Sequence, residues 1–380
     1  MRIFHGTVWP RNERSAAQHK ATTHDLSGRS RWVGSGWLRG VVVLFASACS
    51  PAAVGVPDGA AKQTQDMASS VDQAIPQLAG CPSQGSGAIA PSGPCVVFTP
   101  AQTGAAESGA NAMLNQYALE PSSGGKGVLV VHLNGSLGSP AGQISNPQKN
   151  LYNALAQAGF HVIGLAYRST AVVGILCNNN AACFSPTRRT LVTGSYVAGA
   201  PASLSDMRQD EGIVWRLDAA VRLLAAAHPT GGWSQFQASV SDPDVSKHLD
   251  WSKIIASGHS QGGGHAAFLG SLFPLRRVVQ LSSTCDATGG TPAPWTAAAG
   301  VWATVPQSSY VGFAAPTIFT SGSPTGGDTT CPYHLAVWKN LGMDASRMLD
   351  DAATCGATGD THSASIGCID NFPRWAPLFL

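Results

Sequence analysis

The chain is expected to fold as an α/β domain built on a mostly parallel sheet flanked by helices. Three observations predict this. β-like and helix-like stretches alternate from Cys81 onward, several of the β-like stretches are continuous apolar runs, and one complete β-α-β crossover is legible between Gly127 and Ala166. Cys95 to Phe98 and Gln116 to Leu119 are candidate early strands, the second closed by a Pro-Ser-Ser-Gly-Gly turn. Gly127 to Leu133 (GVLVVHL) reads as a strand covered on both faces. The helix after it has legible caps: Asn146 as N-cap, Pro147 at the first helical position, Leu151, Leu155 and Ala158 at helical spacing, and Gly159 just past the end. The strand Phe160 to Ala166 follows directly.

Tyr167 to Leu204 is a long excursion without strong periodicity that holds Cys177, Cys183 and the pair Arg188-Arg189; long loops in compact domains tend to be functional. A helix then carries Ile213, Leu217, Val221 and Leu224 on one face and stops at Pro229 and the Gly231-Gly232 pair. Lys253 to Ser257, Arg277 to Ser282, Thr317 to Thr320 and Arg347 to Leu349 complete a plausible strand set, with a helix over Tyr333 to Leu341. Residues 81–380 are economically one domain.

Composition narrows the function. Of the 380 residues, 44% are hydrophobic and 12% charged, which argues against bulk disorder. The net charge of +2 hides an asymmetry, because residues 1–48 contribute +5 and the remainder −3. A mildly acidic body without a Lys/Arg stripe releases few phosphate counterions, so nucleic acid is not an expected partner. No run of 18 apolar residues predicts a spanning helix. Within residues 1–48, Arg39 precedes the apolar run Val41 to Phe45, which ends in Ala46-Ser47-Ala48-Cys49, the pattern of an export signal. Cleavage after Ala48 or lipidation of Cys49, as in the bacterial lipoprotein box that these residues resemble, both fit. Residues 49–80, mostly small and polar, then suit a flexible tether to a membrane or an unstructured mature end. Eight cysteines remain after Cys49, an even number that suits disulfides in an exported chain. Sequence proximity suggests 81 with 95, 177 with 183, 355 with 368, and by remainder 285 with 331.

The strongest local signal is Gly258-His259-Ser260-Gln261-Gly262, a G-x-S-x-G between an apolar strand and the small-residue stretch Gly263 to Phe273. Strand, tight turn and helix in that order make a nucleophile elbow, in which strained backbone lifts a serine hydroxyl above the sheet. GHSQGG, the preceding VVHLNGSLGSP and a late histidine resemble the α/β-hydrolase superfamily of serine esterases and lipases over most of 81–380. HLNGS, DWSKIIASGHSQGGGHAAF and the THSA segment are also similar to an exported bacterial hydrolase group of poorly defined substrate. The resemblance implies an α/β-hydrolase fold with Ser260 as nucleophile.

Serine needs a base, and the superfamily places it after the last strand, which points to His362 in Gly-Asp-Thr-His-Ser-Ala. The acid that orients it is Asp328, after the strand at 317–320, or Asp286, after the preceding strand, or Asp360, close in sequence to the base. The oxyanion would be met by the N–H of Gln261 and by Ser136, with Leu137 in reserve, from a loop resembling the family's His-Gly-x turn; His132 stands two residues early for that pattern. His259 and His265 lack the H-E-x-x-H spacing of a zinc site, and neither a Walker loop nor a dinucleotide fingerprint occurs, so no metal or cofactor is expected. Trp233 and Trp251 read as core anchors. The expected function is exported carboxylic-ester hydrolysis on a small or lipid-like ester, with a peptidase or amidase, an acyltransferase, or a silent binding protein on the same scaffold as alternatives.

Overall fold

The computed structural model describes residues 78–81, 93–105, 110–122, 125–143, 151–297, 302–315, 328, 330–353 and 361–380. The export signal, Cys49, the segment up to residue 77, the caps at Asn146 and Pro147, the strand expected at 317–320, Cys355 and Asp360 lie outside the described residues.

Eleven strands run in chain order among the described residues: β1 (Ala79–Gly80), β2 (Cys95–Phe98), β3 (Gln116–Leu119), β4 (Leu129–Leu133), β5 (His161–Leu165), β6 (Ile254–His259), β7 (Arg277–Leu281), β8 (Ala287–Thr288), β9 (Thr291–Pro292), β10 (Tyr310–Phe313) and β11 (Met348–Leu349). The helices are α1 (Leu151–Gln157), α2 (Val173–Cys177), α3 (Phe184–Thr193), α4 (Ile213–Ala227), α5 (Gln261–Leu272), α6 (Pro306–Ser309), α7 (His334–Asn340), α8 (Ala364–Gly367) and α9 (Phe372–Leu378). Nine strands form one sheet in the order β1-β2-β3-β5-β4-β6-β7-β10-β11, and β8 and β9 make a separate hairpin. β5, β4, β6, β7, β10 and β11 are mutually parallel, whereas β1, β2 and β3 pair antiparallel at one end.

The parallel centre is apolar because both of its faces are covered. β4, β5 and β6 are buried at every position. One face carries α4, with Leu217, Val221 and Leu224 against Leu129, Ile163 and Ala256; the other carries α1 and α9, with Leu155 and Trp375 among Val130, Val162 and Val279. Trp233 and Trp251 are buried with the residues on the α4 face. No helix of the described residues is long and apolar enough to cross a membrane.

Several elements differ from what the sequence predicts. The strand between β7 and β11 is Tyr310–Phe313, four residues too short to show a period of their own. β1 lies at positions assigned to the tether. The excursion is not an open loop: it contains α2 and α3, and residues Thr187, Arg188 and Thr190 of α3 are buried. Polar residues on the inward face cancel the apolar periodicity by which a helix is recognised.

Three expected disulfides are present: Cys81–Cys95, Cys177–Cys183 and Cys285–Cys331. Cys368 is disulfide-bonded as well.

His132 occupies the sheet interior. Its Nδ1 lies 3.2 Å from Ser257 Oγ and its ring meets Tyr152 edge-on at 5.6 Å. Burial, and then the charge of His259, hold its pKa down to about 3. A depressed histidine pKa makes the unfolded chain bind more protons, so this contribution is complete above pH ~6.5 and is lost as pH falls toward 3. His132→Leu is expected to flatten the pH dependence of unfolding free energy in that window by about 1.4 kcal/mol per pH unit, measured by denaturant titration at a series of pH values.

Candidate active site

Ser260 stands at the junction of β6 and α5 with φ 54° and ψ −124°, a positive-φ conformation that a non-glycine residue adopts only under constraint. The constraint is visible on both sides: its N–H donates to Leu281 O at 3.1 Å and its carbonyl accepts from Ser283 Oγ at 2.6 Å. Gly262 lets the turn pack against β4, since a Cβ there would fall 2.1 Å from Leu133 O. This is the strand, bend and helix arrangement that the motif predicts. Ser260 is 9% exposed.

His362 lies just before α8. Its Nδ1–H donates to Asp328 Oδ2 at 2.7 Å. Asp328 is buried, and Oδ1 accepts the N–H groups of Thr330 and Cys331. Burial by itself would raise the carboxyl pKa, but the hydrogen bond and charge of His362, the Cys331 N–H and the charge of His334 outweigh it and hold it below the ordinary value. The histidine is fixed beside the elbow through its own backbone: His259, the residue before Ser260, donates Nε2–H to His362 O at 3.0 Å, and the two imidazole rings are 4.7 Å apart. His362 and Asp328 are thus paired on one another, and the backbone of His362 is tied to the residue that precedes Ser260.

Asp286 is engaged elsewhere. Its carboxylate accepts from Arg188 Nε at 2.6 Å and Nη2 at 2.5 Å and from Trp295 Nε1 at 2.8 Å. This corrects the expectation that left it open as the partner of His362: a buried guanidinium fork takes both oxygens.

The Asn134-Gly135-Ser136 loop abuts the elbow, and a Cβ on Gly135 would lie 3.2 Å from Ser260 Cβ. Ser136 Oγ donates to Gln261 Oε1 at 3.0 Å. The Leu137 N–H donates to Ser169 O at 3.1 Å, so the reserve donor already has an acceptor. The sequence did not foretell this embrace of the Gln261 side chain, nor the tie from His259.

His334 packs in the core with its Nδ1–H on Cys331 O. Asp328, Cys331 and His334 bring ligand-type atoms within 4.8 Å of one another, but the Cys331 sulfur is bonded to Cys285 and offers no thiolate. His265 is fully buried beside Tyr167, at 5.2 Å between ring centroids, and burial followed by the charge of Arg188 keeps its pKa well below the ordinary value.

No family model matches the chain, and no curated protein matches it. Solved structures that it resembles are α/β serine hydrolases and esterases at low identity. The S-formylglutathione hydrolase from Agrobacterium tumefaciens is 12% identical, with 79% of this chain and 99% of that one covered and a TM-score of 0.40. An alpha-beta serine hydrolase homologue from Coxiella burnetii is 12% identical over 70% of this chain and 92% of that one, TM-score 0.34. The esterase domain from a Rhodothermus marinus protein is 13% identical over 50% and 51%, TM-score 0.23, so the chain spans about half the length of that relative.

The chain has a mostly parallel central sheet with helices on both faces. What the site does rests on its own residues.

Proposed function

We propose that the chain is an exported serine hydrolase that cleaves carboxylic esters through an acyl-enzyme. The observation that carries this reading is the 2.7 Å bond from His362 to Asp328, on a loop tied by its backbone to the residue preceding a strained Ser260.

In this mechanism His362 Nε2 takes the proton of Ser260 as Oγ attacks the acyl carbon. Asp328 keeps the proton on Nδ1, which leaves Nε2 as the basic nitrogen, and stabilises the imidazolium once it forms. The oxyanion is met by the N–H of Gln261, at the start of α5, where the helix macrodipole favours negative charge, and by that of Ser136. Collapse expels the alcohol with the proton from His362. Water then repeats the sequence on the acyl-enzyme and frees Ser260 and the acid. Small or lipid-like esters are the proposed substrates.

Export is proposed on the signal-like residues 1–48 and on disulfides, which persist in oxidising compartments. Cys49 is the proposed lipidation point and membrane tether.

A fluorophosphonate probe tests the chemistry. Labelling is expected at Ser260 and is expected to vanish in His362→Ala. Labelling at another residue, or labelling indifferent to His362, overturns the mechanism.

A further inference from the structure

Gln261 is held more tightly than any oxyanion role read from its N–H alone requires, and most of the holding comes from the excursion at 167–204. Its side-chain Oε1 accepts from the Val173 N–H at 2.9 Å, in addition to Ser136 Oγ, and Nε2 donates to Ser169 O at 3.4 Å. Its main-chain carbonyl accepts from Arg188 Nη1 at 3.1 Å.

Arg188 is the unusual member. It is 1% exposed and lies against the first turn of α5, so closely that a Cβ on Gly264 would fall 2.1 Å from Nη2. A buried cation at a helix N-terminus opposes the macrodipole and carries a large desolvation cost. Helix stabilisation therefore does not account for its position. Asp286 accounts for the charge, through the bidentate pair, and Trp295 fixes Asp286 in turn. The remaining guanidinium nitrogen, Nη1, is turned onto Gln261 O.

We infer that Arg188 is a positioning residue: neutralised by Asp286, it anchors the Gln261 carbonyl, in the peptide unit next to the one that carries the Gln261 N–H, and so fixes the Gln261 backbone with that N–H aimed where the oxyanion of the acyl-transfer transition state develops. This rests on the proposed serine mechanism. Arg188 touches no substrate; it acts through Gln261. Donor placement matters because a displacement of about 1 Å in a reacting geometry costs on the order of a hundredfold in rate.

The test compares wild type with Arg188→Met/Asp286→Asn, which removes the clamp without stranding a buried charge and leaves the Asn oxygen to accept from Trp295. The readouts are kcat and KM on a p-nitrophenyl ester and the second-order rate of fluorophosphonate labelling, taken well below the melting temperature of each variant. The expected result is a fall in kcat and in labelling rate of roughly 10- to 100-fold, KM within threefold, and an unchanged pH-rate profile, because His362 and Asp328 are untouched. A folded double variant with wild-type kcat and labelling rate overturns the clamp and leaves the pair a structural one. Arg188→Lys decides the matter if the double variant fails to accumulate: an ammonium lacks the planar fork that grips both Asp286 oxygens while a third nitrogen donates to Gln261 O, so labelling is expected to slow about five- to tenfold, whereas an unaltered rate overturns the inference. A wild type that is not labelled at Ser260 also defeats it, but by the distinct signature of a failed nucleophile.

Discussion

Ser260→Ala is expected to reduce turnover of short p-nitrophenyl esters by about 10⁴-fold or more while the fold is kept. The size follows from what the change removes. The acyl-enzyme route is lost with the hydroxyl, and the remaining groups can only bind the ester and polarise its carbonyl for attack by water. The fold should persist because the bonds that bend the elbow are made by the main chain of Ser260, through Leu281 O and Ser283 Oγ. Relief of side-chain crowding at φ 54° is small, since alanine keeps its Cβ. Steady-state kinetics beside circular dichroism checks both halves, and activity retained within tenfold would sink the mechanism.

Asp328→Asn is the second large expectation, a loss of about 10³ to 10⁴ in kcat with KM little changed. Asparagine can still accept the Thr330 and Cys331 N–H groups through one oxygen, so the loop keeps its shape. It would present an amide N–H to His362 Nδ1. That reverses the tautomer: the proton moves to Nε2, which then cannot take one from Ser260. Asp286→Asn provides the contrast. Its main expected consequence is lost stability, because it leaves the Arg188 guanidinium buried without a counter-charge. A pH-rate profile that changes shape in the first variant and thermal melting that drops in the second would separate the two carboxylates.

The sequence carried the elbow because its signature is written in five adjacent residues, although the contacts that hold it come from Leu133, Leu281 and Ser283. A serine that must sit at positive φ, with glycine where β4 presses close, can be written only in a few ways over five residues. His362 was legible for another reason, since chain order alone leaves few histidines beyond α5. The acid resisted this logic. Asp328 and Asp286 both follow strands, and what distinguishes them is a guanidinium 98 residues away along the chain from Asp286. Sequence proximity says nothing about such a partner. The same arginine explains why α3 escaped notice: its inward face carries Thr187, Arg188 and Thr190, so hydrophobic spacing is silent where polar contacts do the packing. His132 illustrates the converse, a residue that resembles part of the family's loop by letter and belongs by position to the core, 0% exposed against Ser257 and Tyr152.

The Cys285–Cys331 bridge closes a 46-residue span between the neighbours of Asp286 and the segment of Asp328. Closing a loop of that length removes about 4 kcal/mol of freedom from the denatured chain. The choice of production host thus becomes part of the biochemistry. Material made in a glutathione-rich cytoplasm would leave this staple open, and a null assay on it would report the thiol state of the preparation rather than the competence of the protein.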